Sequence, residues 1–249
     1  MNVTRGGIAA AVAVVIVAAV CVRLGFWQLD RLEQRRAINV EVRAAISEPP
    51  LDLDSATFVE IAPRPGDFIY RRATARGRFH PEASLLLRGR AHQGRPGVHL
   101  VTPLELDSGA GIVLVNRGWL PSPDAATADP RPYVESETQT VTGTLRMIPH
   151  AGAGAMPAPI DIEDTTVTTF RRLDFPTLAS RFDLPLAPVY LERTGEPDGL
   201  PAAVPPPSLD EGPHLGYALQ WFGFAAVAIV GFLIVIIRRN TGPADPPVA

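Results

Sequence analysis

Four residues near the end of the chain combine types and spacing that could handle a metal-bearing ligand. His214 stands where a long apolar run begins, and Tyr217, Gln220 and Trp221 follow it at helical intervals. An imidazole there can ligate haem iron from the edge of a membrane, with aromatic rings packing the macrocycle. The plainer alternative is an interfacial aromatic belt with His214 capping or hydrogen-bonding at the helix start, and the residues by themselves favour it.

Other chemistry finds less support. His80, His92 and His99 are spaced like no helix face or turn that would gather a metal, which makes them scattered strand and loop histidines. Ala151-Gly152-Ala153-Gly154-Ala155 has two glycines and is followed by Met156-Pro157 where a phosphate-binding loop needs a helix start, so it reads as a linker. The single cysteine, Cys21, lies in an apolar run, which excludes a disulfide or a thiolate metal site in the middle of the chain. No Ser-His-Asp order, acid pair or nucleotide fingerprint stands out, and the reading is non-enzymatic. With 23 basic against 26 acidic residues the net charge is -3, so nothing draws the chain to nucleic acid.

These residues are held by two apolar segments and whatever lies between them. From Ile8 to Val22 every residue is Ile, Ala, Val or Cys, and continuing to Trp27 gives about the twenty residues that cross a bilayer at 1.5 Å each. A cleaved signal is the competing reading, but Val20 is bulky for a lipoprotein box before Cys21 and the helical pattern runs on, so the anchor is expected to stay. The second run, Leu215 to Ile237, is closed by Arg238-Arg239. Arginines flank both sides of the spans, and orientation is decided by the long middle domain, which translocates largely regardless of charge. Residues 1–27 are thus expected to be a tail and first span, 28–48 a stalk helix, 49–200 a β-rich domain outside the cytoplasm, 201–213 a proline-rich arm, 214–237 the second span and 238–249 a cytoplasmic tail. About 190 residues between the spans suffice for one well-cored domain.

That domain reads as successive strands: Phe68 to Phe79, Ser84 to Arg90, Val98 to Leu106, Ile112 to Leu120 and Thr138 to Met147. Ile112-Val113-Leu114-Val115 is a continuous apolar run suited to a fully buried strand. A short helix is expected at Pro176 to Phe182 and a last strand at Val189 to Arg193, whereas Leu51 to Asp67, Pro121 to Pro132 and His150 to Pro159 read as irregular connections. The fold class is α+β: two transmembrane helices flanking an antiparallel sheet or small barrel.

Four segments together resemble the Surfeit-locus cytochrome c oxidase assembly factors. They are Leu24-Gly25-Phe26-Trp27-Gln28-Leu29-Asp30-Arg31 at the first membrane junction, Tyr70-Arg71-Arg72 with Gly77-Arg78-Phe79, Val113 to Pro121 with its Asn116-Arg117-Gly118-Trp119, and His214 to Phe222 at the second junction. Their order matches the family and the resemblance covers nearly the whole chain.

The resemblance implies a multi-pass protein of the bacterial plasma membrane that helps haem a enter the catalytic subunit of a haem–copper oxidase, or that stabilises assembly intermediates. Its partners would be cytochrome c oxidase subunits, alone or in a bc-oxidase supercomplex, and membrane lipid. Some bacterial members are held to bind haem a, which gives His214, with Tyr217 and Trp221, a ligand role. Trp27, Gln28, Arg31, Arg117, Trp119 and Gln220 become candidate partner contacts, although Arg31 and Arg117 are equally readable as solvated or structurally paired. The connecting loops Pro121 to Pro132 and His150 to Asp164 depart from the family and leave room for a permanently bound accessory subunit.

Overall fold

A computed structural model of the chain describes residues 5–135, 137–150, 152, 156–162, 164–194 and 199–240. Most of the 151–155 linker and the tail beyond Asn240 lie outside the described residues. The chain divides into two compact units: one formed by residues up to Glu41 together with those from Ser208 onward, the other Val42–Pro207.

In the first unit the chain forms most of helix α1 (Arg5–Ser47) and all of helix α4 (His214–Asn240). Ala18, Cys21, Gly25, Gln28, Leu32, Arg35 and Asn39 recur at alternating spacings of three and four, and each is buried or half-buried. That is the seam a helix presents to a partner helix. Ala18 and Cys21 pack with Ala225 and Trp221 of α4. Away from the seam, Val12, Val15, Ile16, Leu219, Phe224, Val227 and Val230 are all exposed. Both helices are long and apolar enough to cross a membrane.

The second unit contains strands β1 (Leu51–Asp52), β2 (Arg72–Phe79), β3 (Leu85–His92), β4 (Arg95–Leu106), β5 (Ile112–Pro121), β6 (Thr138–Met147), β7 (Ala158–Ile162), β8 (Thr165–Phe170) and β9 (Leu186–Arg193), with short helices α2 (Ser55–Ile61) and α3 (Phe175–Ala179). The order β2-β6-β9-β5-β4 closes on itself through a β4–β2 pairing, giving a five-stranded barrel, while β3, β8 and β7 extend the sheet beyond β4. Inward residues of all five strands fill the barrel, among them Ala73, Ala75, Phe79, Leu104, Val113, Val141 and Leu191, with Phe58, Ile61 and Phe68 packed against them. On the other side of β5, Ile112 and Leu114 join Leu87, Phe170, Leu178 and Leu186 in a second core. This explains the unbroken apolar run in β5, which is buried on both faces.

Several expectations need correction. The sheet is mixed, because β1–β2, β3–β8 and β5–β9 pair in parallel. The strand expected from Phe68 begins at Arg72: Pro65–Phe68 is a 3-10 turn, and Tyr70 adopts φ 67°, outside the β region. The segment read as irregular from Leu51 holds α2, capped where Asp54 accepts from the Thr57 N–H at 2.9 Å. Strands β7 and β8 were not expected at all.

Strand β5 carries a bulge that matters below. Leu100 pairs with Gly118 and Val101 with Asn116, so Arg117 is the extra residue. Gly118 has φ +130°, and a Cβ there would lie 2.3 Å from the Ala202 carbonyl oxygen. Beside it, the Trp119 N–H donates to Ala202 O at 2.7 Å and the Ala202 N–H returns to Trp119 O at 2.8 Å. Gly118→Ala should therefore destabilise the protein by about 2–3 kcal/mol, read by chemical denaturation of the full chain in detergent, and expose the segment around Ala202 to protease.

Candidate functional site

The sequence-selected residues fall into two constellations, one in each unit. In the first, the His214 Nδ1 and Gln28 Oε1 lie 2.9 Å apart. The glutamine oxygen can only accept, so Nδ1 is the donor of this pair, and a neutral ring so held has its Nε2 lone pair for another partner. Gly25, one turn before Gln28, leaves room for Phe222: a Cβ at Gly25 would meet the Phe222 ring at 2.5 Å. Phe26 meets the same ring edge-on, with centroids 5.4 Å apart. Small and aromatic residues thus bring α1 and α4 close enough for the polar pair to form.

Beyond this pair, α1 holds the segment preceding His214. Arg35 donates to the carbonyls of Ser208 at 2.9 Å and Asp210 at 3.1 Å, and Asn39 donates to those of Leu209 and Asp210 at 2.9 and 3.2 Å. Arg36 forks onto both carboxylate oxygens of Glu211 at 2.9 and 2.8 Å. Tyr217 is 47% exposed and Trp27 46%; Gln220 and Arg31 are also exposed, with Arg31 donating to Gln34. Trp221 is half-buried against the helix seam. Sequence reasoning selected Gln28 and His214 separately and for different roles, and missed Arg35, Arg36 and Asn39. The three-four spacing from Ala18 to Asn39 was the signal that could have found Arg35 and Asn39.

In the second unit the bulge turns Arg117 inward. Only 3% of its side-chain surface is exposed. Its guanidinium donates to the Tyr133 carbonyl at 2.5 Å, pairs with Glu135 and lies over the Phe79 ring at 5.4 Å. Arg193 donates to the same Glu135 at 2.9 and 3.1 Å. Burial lowers the Arg117 pKa. For Glu135 burial acts upward, but the two arginines outweigh it and the carboxyl is held below its ordinary value. Arg117 is thus paired within the protein rather than solvated.

Trp119 is 4% exposed, with His92 beside its ring at 5.3 Å and Arg95 at 5.8 Å. The surface at this end is therefore presented by the residues covering Arg117 and Trp119. Asn116 is equally buried and bridges two strands: its Nδ2 donates to His99 Nδ1 at 3.1 Å and its Oδ1 accepts from the Gly118 N–H at 3.2 Å. Burial, with the nearby positive charges of Arg90 and His92, lowers the His99 pKa to about 4, consistent with a neutral accepting ring. His80 instead lies between Glu105 and Glu82; burial opposes its charge, but those hydrogen bonds prevail and raise its pKa. Among the described residues no group of three or more His, Cys, Asp or Glu side chains is placed to hold a metal ion.

The Tyr70-Arg71-Arg72 segment has a comparable structural part. The Tyr70 N–H donates to Leu145 O at 2.8 Å, Arg146 lies over the Tyr70 ring at 4.7 Å, and Arg71 pairs with Glu48 at 2.9 Å. Each distinctive segment thus fixes either the helix pair or the barrel wall, and the family pattern can be compared with known proteins. The model of the SURF1 family matches residues 15–226, from inside α1 to inside α4.

The chain belongs to the SURF1 family. An uncharacterized SURF1-like protein of Mycobacterium tuberculosis is 27% identical over 248 residues, spanning 97% of this chain and 89% of its own. A SURF1-like protein of Rickettsia felis is 28% identical over 239 residues, spanning 91% and 96%. One of Monosiga brevicollis is 25% identical over 238 residues, spanning 88% and 84%.

For this SURF1-family barrel, Arg117→Met should cost about 3 kcal/mol in chemical denaturation, because it strips a buried ion pair of one partner; Arg193→Met, at the exposed side of Glu135, should cost less. A second effect concerns pH. With a folded-state pKa of about 4 against 6.5 unfolded, the His99 contribution is complete above 6.5 and is lost as pH falls toward 4. Its loss should approach about 3 kcal/mol across that window, and a His99→Gln chain should show a flatter pH profile.

Proposed function

We propose that the chain is a non-enzymatic assembly factor of haem–copper cytochrome c oxidase in the bacterial plasma membrane. The SURF1 family is generally known for oxidase assembly factors, and the match of residues 15–226, which takes in the barrel, most of α1 and about half of α4, carries the reading. In it α1 and α4 cross the bilayer, the barrel unit lies outside the cytoplasm and both termini lie inside. The apolar faces of the two helices supply the surface that lipid or the oxidase's own helices cover. Trp27, Arg31 and Gln220, all exposed, are side chains on that unit able to meet a partner. The barrel offers assembly intermediates the surface over Arg117 and Trp119.

Haem a is the cargo this reading implies, and the residues of the helix junction fit it. His214 would take the iron through Nε2, because Gln28 occupies Nδ1 and fixes both tautomer and ring plane, as outer partners of metal-binding histidines do. Tyr217 and Trp221, three and seven residues on, would flank the macrocycle. The haem would supply an iron able to accept a nitrogen ligand; the protein would bind and orient the cofactor without changing it chemically.

Gentle detergent purification on a tag, with partner identification and a haem difference spectrum, tests this. Oxidase subunits should co-purify, chiefly with immature enzyme, and His214→Ala should abolish the haem signal while retaining the partners. Near-stoichiometric recovery with active oxidase or a bc-oxidase supercomplex would make the chain an accessory subunit instead. Absence of oxidase subunits would overturn the reading, and an unchanged spectrum in His214→Ala would remove that residue from the ligand role.

A further inference from the structure

Arg88, Arg90, Arg171 and Arg172 line an open basin of about 560 Å³ on the sheet extension, far in sequence from the helix junction. Two chain features bring them together. Strands β3 and β8 run parallel, with Leu87 beside Phe170, so the chain continues from that pair directly into Arg88 and Arg171. The register of β3 against β4 then shifts between Leu87 and Arg90, and the Gly89 N–H donates to Ala125 O at 2.8 Å. Arg88 and Arg90 border the basin from this bulge, and Arg171-Arg172 leave β8 on its other side.

These four gather around one concavity with no acid among its lining residues. Arg71, Arg117, Arg146 and Arg193 each have a carboxylate partner. None of the basin's four forms an ion pair among the described residues. Arg90 donates to the Arg171 carbonyl at 3.4 Å, and the Arg88 Nε is buried with no hydrogen-bond partner. Glu192, which feels the charge of Arg90, is held by Arg146 at 3.3 Å. Guanidinium groups do not shed their protons near neutrality, so an incoming anion eases their mutual repulsion.

We propose that this basin binds a phosphate group. Several planar forks around one concavity suit an anion that offers several oxygens and up to two charges, as phosphate does, better than a single carboxylate. A smaller recess sharing Arg90 and Arg172 is walled by Leu87, Leu173 and Tyr190, which gives the rest of a phosphate ester an apolar neighbour. The phosphate can come from a lipid headgroup or from a soluble ester, and the chemistry of recognition is the same for both.

The test uses the full chain in a neutral detergent, with inorganic pyrophosphate as probe in calorimetry and phosphatidylglycerol as probe in native mass spectrometry. Pyrophosphate should bind once per chain with a dissociation constant below about 1 mM. Arg171→Gln/Arg172→Gln, at exposed positions, should weaken it at least tenfold, as should Arg88→Gln, whereas Arg72→Gln, an exposed arginine on the barrel, should leave it unchanged. Displacement by phosphatidylglycerol but not by phosphatidylcholine identifies a lipid headgroup as the source; no displacement identifies a soluble ester. If neither probe binds, or if the double variant binds both as the unaltered chain does, there is no phosphate site.

Discussion

Apolar side chains that point away from the protein constrain everything else in the helical unit. Each large aliphatic or aromatic residue left facing water forgoes roughly 1.5–3 kcal/mol of burial, and α1 and α4 carry them over most of their length. The helix seam cannot offset this, because it is built of small residues: Ala18, Cys21, Gly25 and Ala225. Small residues let two backbones approach closely, which is the packing that works where the surroundings are as apolar as the helices themselves. At the end of that seam the residue types change to Gln28, Arg35, Arg36 and Asn39, and the contacts change from van der Waals packing to hydrogen bonds. The Gln28–His214 pair falls at this change of character, where an imidazole can be oriented by the protein and still have one nitrogen to offer.

The barrel has its own organising strand. Because β5 is covered on both faces, its polar residues Asn116 and Arg117 must find partners inside the protein, and the bulge is how they do. Asn116 ties β5 to His99 on β4, and Arg117 reaches Tyr133 and Glu135, on the connection that leads to β6. Gly118 and Trp119 meanwhile receive Ala202 in a backbone bridge. One four-residue stretch thus joins the barrel wall, the connection leading to β6 and the proline-rich segment after β9. This is a structural reason for its distinctive sequence, independent of any partner it meets.

The legible parts of the fold were those in which one periodicity decides. The apolar runs of α1 and α4 and the strands between Leu85 and Met147 announce themselves by length or alternation, and Thr138–Met147 was bounded as observed. Helix α2 has seven residues, too few for a periodic signal, and only Asp54 marks its start. Strand β7 runs through an Ala/Pro-rich stretch whose residues are half-buried or exposed, and it gains its structure from β8. The parallel pairings depend on which strands meet, which no single strand records. The site was legible to a similar degree: His214 stood out by type and position, while Gln28, Arg117 and Trp119 were picked out through the family resemblance, but Gln28 and His214 are 186 residues apart and their hydrogen bond follows only from the fold.

The two-span arrangement, with the barrel outside the cytoplasm, is tested most directly by cysteine labelling in intact cells, with Cys21→Ser as the starting chain. A membrane-impermeant maleimide should label Ser108→Cys, exposed at the β4–β5 turn, without lysis, and should label Thr241→Cys only after permeabilisation. The reverse pattern, or release of the chain from membranes by carbonate, would contradict the arrangement.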